Sequence, residues 1–266
     1  MAYQSFIYEV EDGIATARLN DPGKPNALTF QTYEELERLM RELADDEAVQ
    51  VLVLTGEGRG FCSGGSVQDI IGKLLEMKGD SLYHFTRMTC DVVKHMRNLK
   101  KPIIAAVNGI AAGAGAMLAL ASDFRILSAQ AKFAFLFVRV GLAGADMGAL
   151  HFLPRIVGQG RATELLFLGD PIDAQEACRI GLANRVVRHD ELMKEAYALA
   201  RRLKEGPLYA IGVTKQLLNR ELQMDLEAAL EIEARAQAIC METADFREGY
   251  RAVVEKRAPV FNRSRA

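Results

Sequence analysis

The stretch "KPIIAAVNGIAAGAGAMLALASDFRI", residues 101–126, decides the fold class. It opens with a short apolar run that is typical of a buried strand and that ends at the turn dipeptide Asn108-Gly109. A helical segment rich in small residues follows, and "DFRILS" then predicts a further strand. This order of strand, turn, helix and strand indicates an α/β protein.

Upstream, the chain predicts a hairpin, a helix and a strand. "FIYEVEDGIATARLN", residues 6–20, alternates apolar and polar side chains around the turn dipeptide Asp12-Gly13. After a loop, apolar residues recur at helical spacing, with Thr29 as the candidate N-cap. "VQVLVLTG", residues 49–56, is typical of a short buried strand.

Downstream, strands give way to helices. "KFAFLFVRV", residues 132–140, is typical of a strand, whereas helical patterns dominate from Met147 onwards. The apolar stripes of the last helices need a covering surface. We therefore predict an α/β core in residues 1–200 and a helical region in residues 201–266 that packs on this core and on a neighbouring subunit.

The composition narrows the choice of partner. The 266 residues carry 33 basic and 35 acidic side chains, so no strong field favours nucleic acid or an anionic membrane. No apolar run reaches the length of about 18 residues that a membrane-spanning helix needs. The first 25 residues lack the basic-then-apolar pattern of a signal peptide. We therefore predict a cytoplasmic protein that binds neither nucleic acid nor membrane.

Several motifs of known chemistry are incomplete. "GEGRGF", residues 56–61, follows a strand, but Phe61 stands where a dinucleotide-binding loop needs its third glycine, which disfavours a nicotinamide oxidoreductase. The four cysteines form no CxxC pair and the four histidines show no metal-ligand spacing, so we predict no metal site. Cys62 has no histidine near it in the sequence, which favours a packed thiol over a nucleophile.

Two glycine-rich turns are less ordinary. "FCSGGS", residues 61–66, and "NGIAAGAGAM", residues 108–117, each lead from a strand into a helix. Small residues let a backbone approach a ligand, and the N–H groups at a helix start lack partners. Two such turns that face each other would present two N–H donors to one oxygen and stabilise an oxyanion or enolate. The alternative is close helix–strand packing without chemistry.

Asp146 is an isolated carboxylate in an apolar stretch. In "FLFVRVGLAGADMGALHFLPR", residues 135–155, the first charge before it is Arg139 and the next after it is Arg155. Burying such a group costs roughly 1–3 kcal/mol even when it is partly compensated. Two explanations are open: Asp146 caps a helix that starts near Met147, or its carboxylate serves chemistry.

Four long stretches resemble one family. The chain is similar to the enoyl-CoA hydratase/isomerase (crotonase) superfamily at "LNDPGKPNALT", "GFCSGGSVQDI", "KPIIAAVNGIAAGAGAMLALASDFRI" and "LPRIVGQGRATELLFLGDPIDAQEACRIGLANRVV", in this order. The resemblance continues to "FREGYRAVVEKRAPVF". It implies a crotonase-like (ClpP/crotonase) α/β fold of repeated ββα units with a C-terminal helical trimerisation region. The implied assembly is a homotrimer or a dimer of trimers.

The resemblance also implies an acyl-CoA thioester as substrate, with coenzyme A as part of the substrate and no separate cofactor. By position, the backbone N–H groups of Gly65 and Ala114 would form an oxyanion hole for the thioester carbonyl. Lys256 and Arg257 in the basic tail would meet CoA phosphates, or are solvated surface charges. The implied substrate-binding residues are Lys24, Ala27, Leu28, Ser66, Val67, Gln68, Met117, Phe137 and Met147.

The chain departs from the family where hydratases carry two glutamates. Met117 and Phe137 stand at those positions, so ordinary two-glutamate hydration is not expected. Asp146 resembles the catalytic aspartate of dienoyl-CoA isomerase, with one extra residue after Gly141. It also falls where chlorobenzoyl-CoA dehalogenase and dihydroxynaphthoyl-CoA synthase carry one. We therefore expect Asp146 to face the acyl group as an acid/base, with a pKa raised by its apolar pocket.

These positions favour an isomerase, hydrolase or C–C lyase that acts on a bulky or cyclic acyl group, because Phe137 replaces a glutamate. Two alternatives stay open: a non-catalytic acyl-CoA-binding protein that has lost both glutamates, and a CoA thioester hydrolase or dehalogenase-type enzyme. Glu164 is a second candidate acid, although its place on a helix favours an ion pair with Arg161 or Arg155.

Overall fold

The computed structural model describes residues 3–21 and 23–262. Its strands are β1 (Phe6–Glu11), β2 (Ile14–Leu19), β3 (Val51–Gly56), β4 (Ile103–Val107), β5 (Ile110–Ala112), β6 (Phe124–Ser128), β7 (Lys132–Ala134), β8 (Ile172–Asp173) and β9 (Arg185–Val187). Its helices are α1 (Phe30–Asp45), α2 (Gly72–Leu74), α3 (Asp80–Asn98), α4 (Ala114–Ala121), α5 (Ala149–Val157), α6 (Gln159–Leu168), α7 (Ala174–Arg179), α8 (Leu192–Lys204), α9 (Leu208–Arg220), α10 (Leu226–Glu242) and α11 (Ala244–Glu255). Pro22 of the predicted loop and residues 263–266 of the predicted C-terminal region lie outside the described residues.

The predicted hairpin is confirmed. Strands β1 and β2 pair antiparallel with Glu11 opposite Ile14, and Asp12 (φ 48°) and Gly13 (φ 73°) take the two left-handed positions of the turn. Within the described part of the chain, the main sheet then adds its strands in parallel, in the order β1-β2-β3-β4-β6-β9. Parallel neighbours need crossover connections, so helices separate these strands in the sequence.

The main sheet is buried on both faces because side chains alternate along its strands. Leu52 and Leu54 of β3 point into a large apolar cluster that includes Leu36 of α1. Val51 and Val53 of the same strand point into a smaller cluster on the opposite face. That cluster contains three residues of α8: Leu192, Ala196 and Ala200. Burial on both faces fixes the ends of the strands, where the glycine-rich turns begin.

The prediction that residues 132–140 form one strand is wrong beyond Ala134. Strand β7 pairs with β5 and β8 in a small second sheet, and these neighbours offer partners for Lys132–Ala134 alone. Without a partner strand, residues Leu136–Val140 close into a 3-10 helix that ends at Gly141 with φ 76°. Phe137, expected on a strand, therefore lies on this short helix.

The C-terminal helices are held to the core at one end. Lys215 of α9 is 6% exposed, forms an ion pair of 2.7 Å with Asp123 and donates a hydrogen bond to the Lys101 carbonyl oxygen. By contrast, α10 buries none of its residues. Large apolar side chains are exposed along α10 and α11: Leu226, Leu230, Ile239, Met241, Phe246, Tyr250, Val253 and Val254. The division after residue 200 and the neighbouring subunit stay predictions. None of the described helices is long and apolar enough to cross a membrane.

Replacing Gly115 with alanine tests how closely the glycine-rich turns pack. A Cβ atom at this position would lie 2.2 Å from the carbonyl oxygen of Cys62, so one backbone must move. We expect Gly115→Ala to lower the free energy of unfolding by about 1–3 kcal/mol, measured by denaturant titration. Gly160→Ala is the matched control, because no described atom lies within 4 Å of the added methyl group. An equal effect of both substitutions would contradict the close contact.

Candidate active site

Two glycine-rich turns meet edge to edge. The Cys62 N–H donates to the Ile110 carbonyl oxygen at 2.9 Å, and the Ala112 N–H donates to the Cys62 carbonyl oxygen at 2.9 Å. On the other side, the Leu28 N–H donates to the Gly64 carbonyl oxygen at 2.8 Å. The first turn therefore lies between the second turn and the segment at Leu28. It forms one isolated parallel bridge with each of them, Cys62 with Ala111 and Gly65 with Leu28.

The N–H groups of Gly65 and Ala114 are free to bind a ligand. Neither donates a hydrogen bond to any acceptor in the residues that the structure describes. The two turns lie side by side, since a Cβ atom on Gly64 would lie 3.6 Å from the Ala114 nitrogen. Ala114 opens α4 after Gly113 (φ 50°), and no side chain caps this helix start. The arrangement offers two neighbouring backbone donors to an anionic oxygen.

Asp146 does not cap the helix that follows it, so the capping explanation is wrong. Met147 (φ 45°) and Gly148 (φ 86°) both take the left-handed conformation, and α5 starts two residues later than the sequence suggested. The Asp146 carbonyl oxygen accepts the Ala149 N–H at 2.8 Å, but α5 has no side-chain cap. The carboxylate of Asp146 is thus left for another purpose.

The half-buried carboxyl group of Asp146 has a raised pKa. Burial raises this pKa because it disfavours the charged form, and the Met147 N–H partly opposes the rise. The predicted direction of the shift therefore agrees with the structure. A carboxyl group with a raised pKa is suited to accept and return a proton near neutral pH.

Two titratable side chains respond to the charge of Asp146. Burial is the main cause that raises the pKa of the half-buried Cys90 thiol on α3 and that of the buried Tyr33 hydroxyl on α1, and the charge of Asp146 adds to both shifts. Cys62, in the first glycine-rich turn, also raises the pKa of Tyr33. Sequence reasoning missed Tyr33 and Cys90, because each follows the apolar spacing of its helix.

Cys62 is a packed thiol, as predicted. It is fully buried, and burial raises its pKa to about 12, so it does not ionise near neutral pH. All four cysteines are free.

Met117, Phe137 and Met147 supply apolar surface. Met117 is fully buried on α4, Phe137 is 6% exposed on the 3-10 helix, and Met147 is 1% exposed beside Asp146. None of the three can transfer a proton, so the positions of the two family glutamates offer no acid or base here. Whether these side chains touch a substrate stays a prediction.

Lys24 is engaged in an ion pair. Its ammonium lies 2.8 Å from the Asp69 carboxylate, and the Ser66 hydroxyl donates to the same carboxylate at 2.6 Å. The hydrogen bond from Lys24 is the main cause that lowers the pKa of Asp69. Sequence reasoning missed Asp69, which meets Lys24 only in the folded chain. Asp69 lies three residues after Ser66.

The other predicted contacts differ in exposure. Val67 and Gln68 are exposed at the start of a π-helix, Val67–Ile71, next to the Gly65 N–H. Ala27 is 8% exposed. Leu28 is fully buried, and its carbonyl oxygen accepts the Ser66 N–H at 2.8 Å. The structure gives Leu28 a role in holding the first turn, and its contact with a ligand stays a prediction.

Two further candidates pair with neighbouring charges. Glu164 forms an ion pair with Arg161, in agreement with its predicted structural role. Arg257 pairs with Glu248 and Glu255, which raise its pKa. The described residues hold no cluster of three or more His, Cys, Asp or Glu side chains that would bind a metal ion.

The fold and these donors define an α/β protein that offers two neighbouring backbone N–H groups to a ligand and carries a half-buried carboxyl group with a raised pKa. Comparison with known proteins assigns the family. The model of the enoyl-CoA hydratase/isomerase family matches residues 9–264, and the chain belongs to this family. It is an enzyme of the family that processes acyl-CoA thioesters.

Two relatives bear different names. A crotonyl-CoA hydratase from Syntrophomonas wolfei is 37% identical over 262 residues, covering 98% of this chain and 99% of the relative. A 1,2-epoxyphenylacetyl-CoA isomerase from Escherichia coli is 36% identical over 258 residues, covering 96% and 97%.

The predicted crotonase-like fold is confirmed by solved structures. A crystal structure from Streptomyces coelicolor A3(2), provisionally assigned as an enoyl-CoA hydratase, superposes with a TM-score of 0.96 at 50% identity, covering 98% of this chain and 95% of the other. An enoyl-CoA hydratase from Bacillus anthracis superposes with a TM-score of 0.90 at 30% identity, covering 97% and 99%.

Asp69→Asn tests whether the ion pair restrains Lys24. The substitution removes the charge that holds the Lys24 ammonium, so we expect the affinity for coenzyme A alone to increase by up to about fivefold. Lys24→Ala should weaken that affinity. Isothermal titration calorimetry measures both, with Glu195→Gln, which frees Arg185 on a distant surface, as the control. Equal affinities for all variants would contradict a contact between Lys24 and coenzyme A.

Asp146→Asn tests the cost of the buried carboxylate. Burial raises the pKa of the folded state, so the folded form binds the proton more tightly and loses stability as pH rises through that pKa. At pH 7 we expect Asp146→Asn to have a higher melting temperature than the wild type. The difference should shrink as pH falls towards the ordinary aspartate pKa of about 3.9. Asp190→Asn is the control, since Arg188 lowers the pKa of Asp190 and removing that charge should not stabilise the fold at pH 7.

Proposed function

We propose that the protein shifts protons on a bulky or cyclic acyl-CoA, with Gly65 and Ala114 as oxyanion donors and Asp146 as the acid/base. The observation that carries this proposal is the pair of neighbouring, unpartnered backbone N–H groups. A thioester carbonyl bound between them gains negative charge when a proton leaves the adjacent carbon, and fixed donors stabilise that charge in the transition state.

Asp146 would remove the proton. Its carboxylate takes a proton from the α- or γ-carbon, the electron pair moves into the acyl group, and the negative charge collects on the thioester oxygen. Returning the same proton to a different carbon shifts the double bond, and atoms and charge balance without a second acid. The raised pKa of Asp146 makes both transfers feasible near neutral pH.

An isomerase fits this set of groups better than an ordinary hydratase does. Adding water by the two-carboxylate route needs two proton-transfer groups, and Met117 and Phe137 supply none. Phe137 and Met147 also favour a bulky acyl group over a short chain. The name of the Escherichia coli relative, 1,2-epoxyphenylacetyl-CoA isomerase, supports an acyl group of this size. The name of the Syntrophomonas wolfei relative keeps a short-chain hydratase as the competing assignment.

We also propose assembly as a homotrimer or a dimer of trimers through the C-terminal helices. The support is the row of exposed apolar side chains on α10 and α11, among them Leu226, Tyr250 and Val253. Many exposed apolar side chains on neighbouring helices are typical of an interface between subunits.

Turnover of a panel of acyl-CoAs tests the proposal. We expect kcat/KM for enoyl-CoAs that carry a cyclohexenyl or phenyl group to exceed that for crotonyl-CoA by about tenfold or more, because the apolar side chains assigned to the acyl group favour the larger group. Asp146→Asn should lower kcat by about 10²–10⁴-fold, since it removes the proton-transfer group. Glu164→Gln is the control and should keep wild-type activity.

Three outcomes would contradict parts of the proposal. Equal turnover of crotonyl-CoA and the cyclic substrates would contradict the proposed preference for a bulky acyl group. Unchanged activity of Asp146→Asn would show that Asp146 is not the acid/base. Tight binding of the whole panel without turnover by the wild type would favour a non-catalytic acyl-CoA-binding protein.

A further inference from the structure

Tyr33 is a buried tyrosine of α1 whose ring is held by aromatic packing. The residue is 2% exposed. Its ring lies edge-on against Phe85 of α3, with 6.1 Å between the ring centroids. Helices α1 and α3 form one wall of the large apolar cluster, which fixes the ring in place.

The hydroxyl group of Tyr33 has no hydrogen-bond partner among the described residues. By contrast, the Tyr3 hydroxyl donates to Glu42, and the Tyr197 hydroxyl lies 3.0 Å from the Thr16 hydroxyl. The Tyr33 oxygen is also absent from the side-chain oxygens that are fully enclosed without a partner. It therefore touches accessible space, and the small exposed fraction of this side chain includes its polar end.

Tyr33 lies in the first turn of α1, directly after the segment that holds the first glycine-rich turn: the Leu28 N–H donates to the Gly64 carbonyl oxygen, and the Ser66 N–H donates to the Leu28 carbonyl oxygen. After burial, Cys62 of that turn and Asp146, the candidate acid/base, contribute to the raised pKa of the Tyr33 hydroxyl. Burial raises the pKa of Tyr33 well above its ordinary value, so the hydroxyl is neutral and can donate a hydrogen bond.

A hydroxyl without a protein partner in an apolar environment destabilises a fold, because the small exposed fraction restores only part of its hydrogen bonding to water. A phenylalanine would fill the same space without that loss. A polar group that the fold leaves unsatisfied is suited to meet a polar atom of a ligand. Because a neutral phenol donates, the atom that it meets is an acceptor.

We propose that the Tyr33 hydroxyl selects acyl-CoAs whose acyl group carries an oxygen atom, by donating a hydrogen bond to that oxygen. This inference rests on the proposed function and names its substrate class more closely. The thioester oxygen is assigned to the Gly65 and Ala114 N–H groups, so the tyrosine meets a different oxygen of the substrate. Met117 and Phe137 would contact the hydrocarbon part of the same acyl group.

Binding measurements with unreactive ligands test this selection without relying on turnover. The probes are phenylacetyl-CoA and its 2-, 3- and 4-hydroxy derivatives, which have no double bond in the acyl chain, titrated calorimetrically. We expect the wild type to bind one hydroxylated isomer about 10–100-fold more tightly than phenylacetyl-CoA. Tyr33→Phe should reduce this preference to less than about threefold and leave the affinity for phenylacetyl-CoA unchanged.

The matched control is Tyr197→Phe, which removes a partnered hydroxyl on the opposite side of the sheet. We expect Tyr33→Phe to keep or raise the melting temperature, and Tyr197→Phe to lower it. If both substitutions lowered the melting temperature equally, the Tyr33 hydroxyl would form a stabilising hydrogen bond within the protein. That result would overturn the inference.

The binding results separate this inference from the proposed function. Equal affinity of the wild type for all four probes, or an equal loss for all probes in Tyr33→Phe, would overturn the selection by Tyr33 and leave the proposed function standing. Absence of binding to every probe by the wild type would overturn both.

Discussion

The contact between two backbone turns is the constraint on which the rest of the site depends. Gly115 and Gly64 each lie against the backbone of the opposite turn, and a Cβ atom on Gly64 would lie 2.9 Å from the Ala112 carbonyl oxygen. Each turn follows a strand of the main sheet, which is buried on both faces. Neither turn can therefore move away from the other without displacing core residues. Donors that are fixed in this way need no reorganisation when charge develops on a bound oxygen. The Gly65 and Ala114 N–H groups thus owe their placement to close backbone packing, and the Asn26 and Asn108 amides hold the loop that leads into the first turn.

The backbone around Asp146 is under a comparable constraint. Asp146 stands in a segment where two successive residues take the left-handed conformation, and one of them, Met147, is not a glycine. Strained backbone and a carboxyl group with a raised pKa both lower stability. In the described structure the Asp146 carboxyl group neither caps a helix nor forms an ion pair that would offset this loss. This segment is therefore a site of locally reduced stability. Such local losses concentrate at functional sites, where the rest of the fold over-determines the geometry.

Local signals made much of this predictable. The hairpin at Asp12-Gly13, the Thr29 cap and both glycine-rich turns depend on neighbours in the sequence, and the structure contains all of them. The extended strand through residue 140 failed because periodicity shows which residues suit a strand but not where the partner strands end. Asp69 pairs with Lys24, and the pKa of Tyr33 is raised by burial and by Asp146, so both effects involve residues more than 40 positions apart. In the sequence alone, neither Asp69 nor Tyr33 is distinguished from its neighbours, because each acquires its partner only in the folded chain.

Overall sequence similarity identifies the family but not the reaction, because backbone groups and side chains contribute differently to the site. The proposed oxyanion donors are backbone groups, so any chain that keeps the small residues of the two turns keeps them, whatever its other side chains are. Identities of 37% to a crotonyl-CoA hydratase and 36% to a 1,2-epoxyphenylacetyl-CoA isomerase are accordingly almost equal. In the proposed function, what differs between reactions is confined to the few side chains assigned to the acyl group, here Met117, Phe137 and Asp146. A handful of substitutions among 266 residues hardly changes the identity, yet it decides whether protons can be moved by one carboxyl group or two.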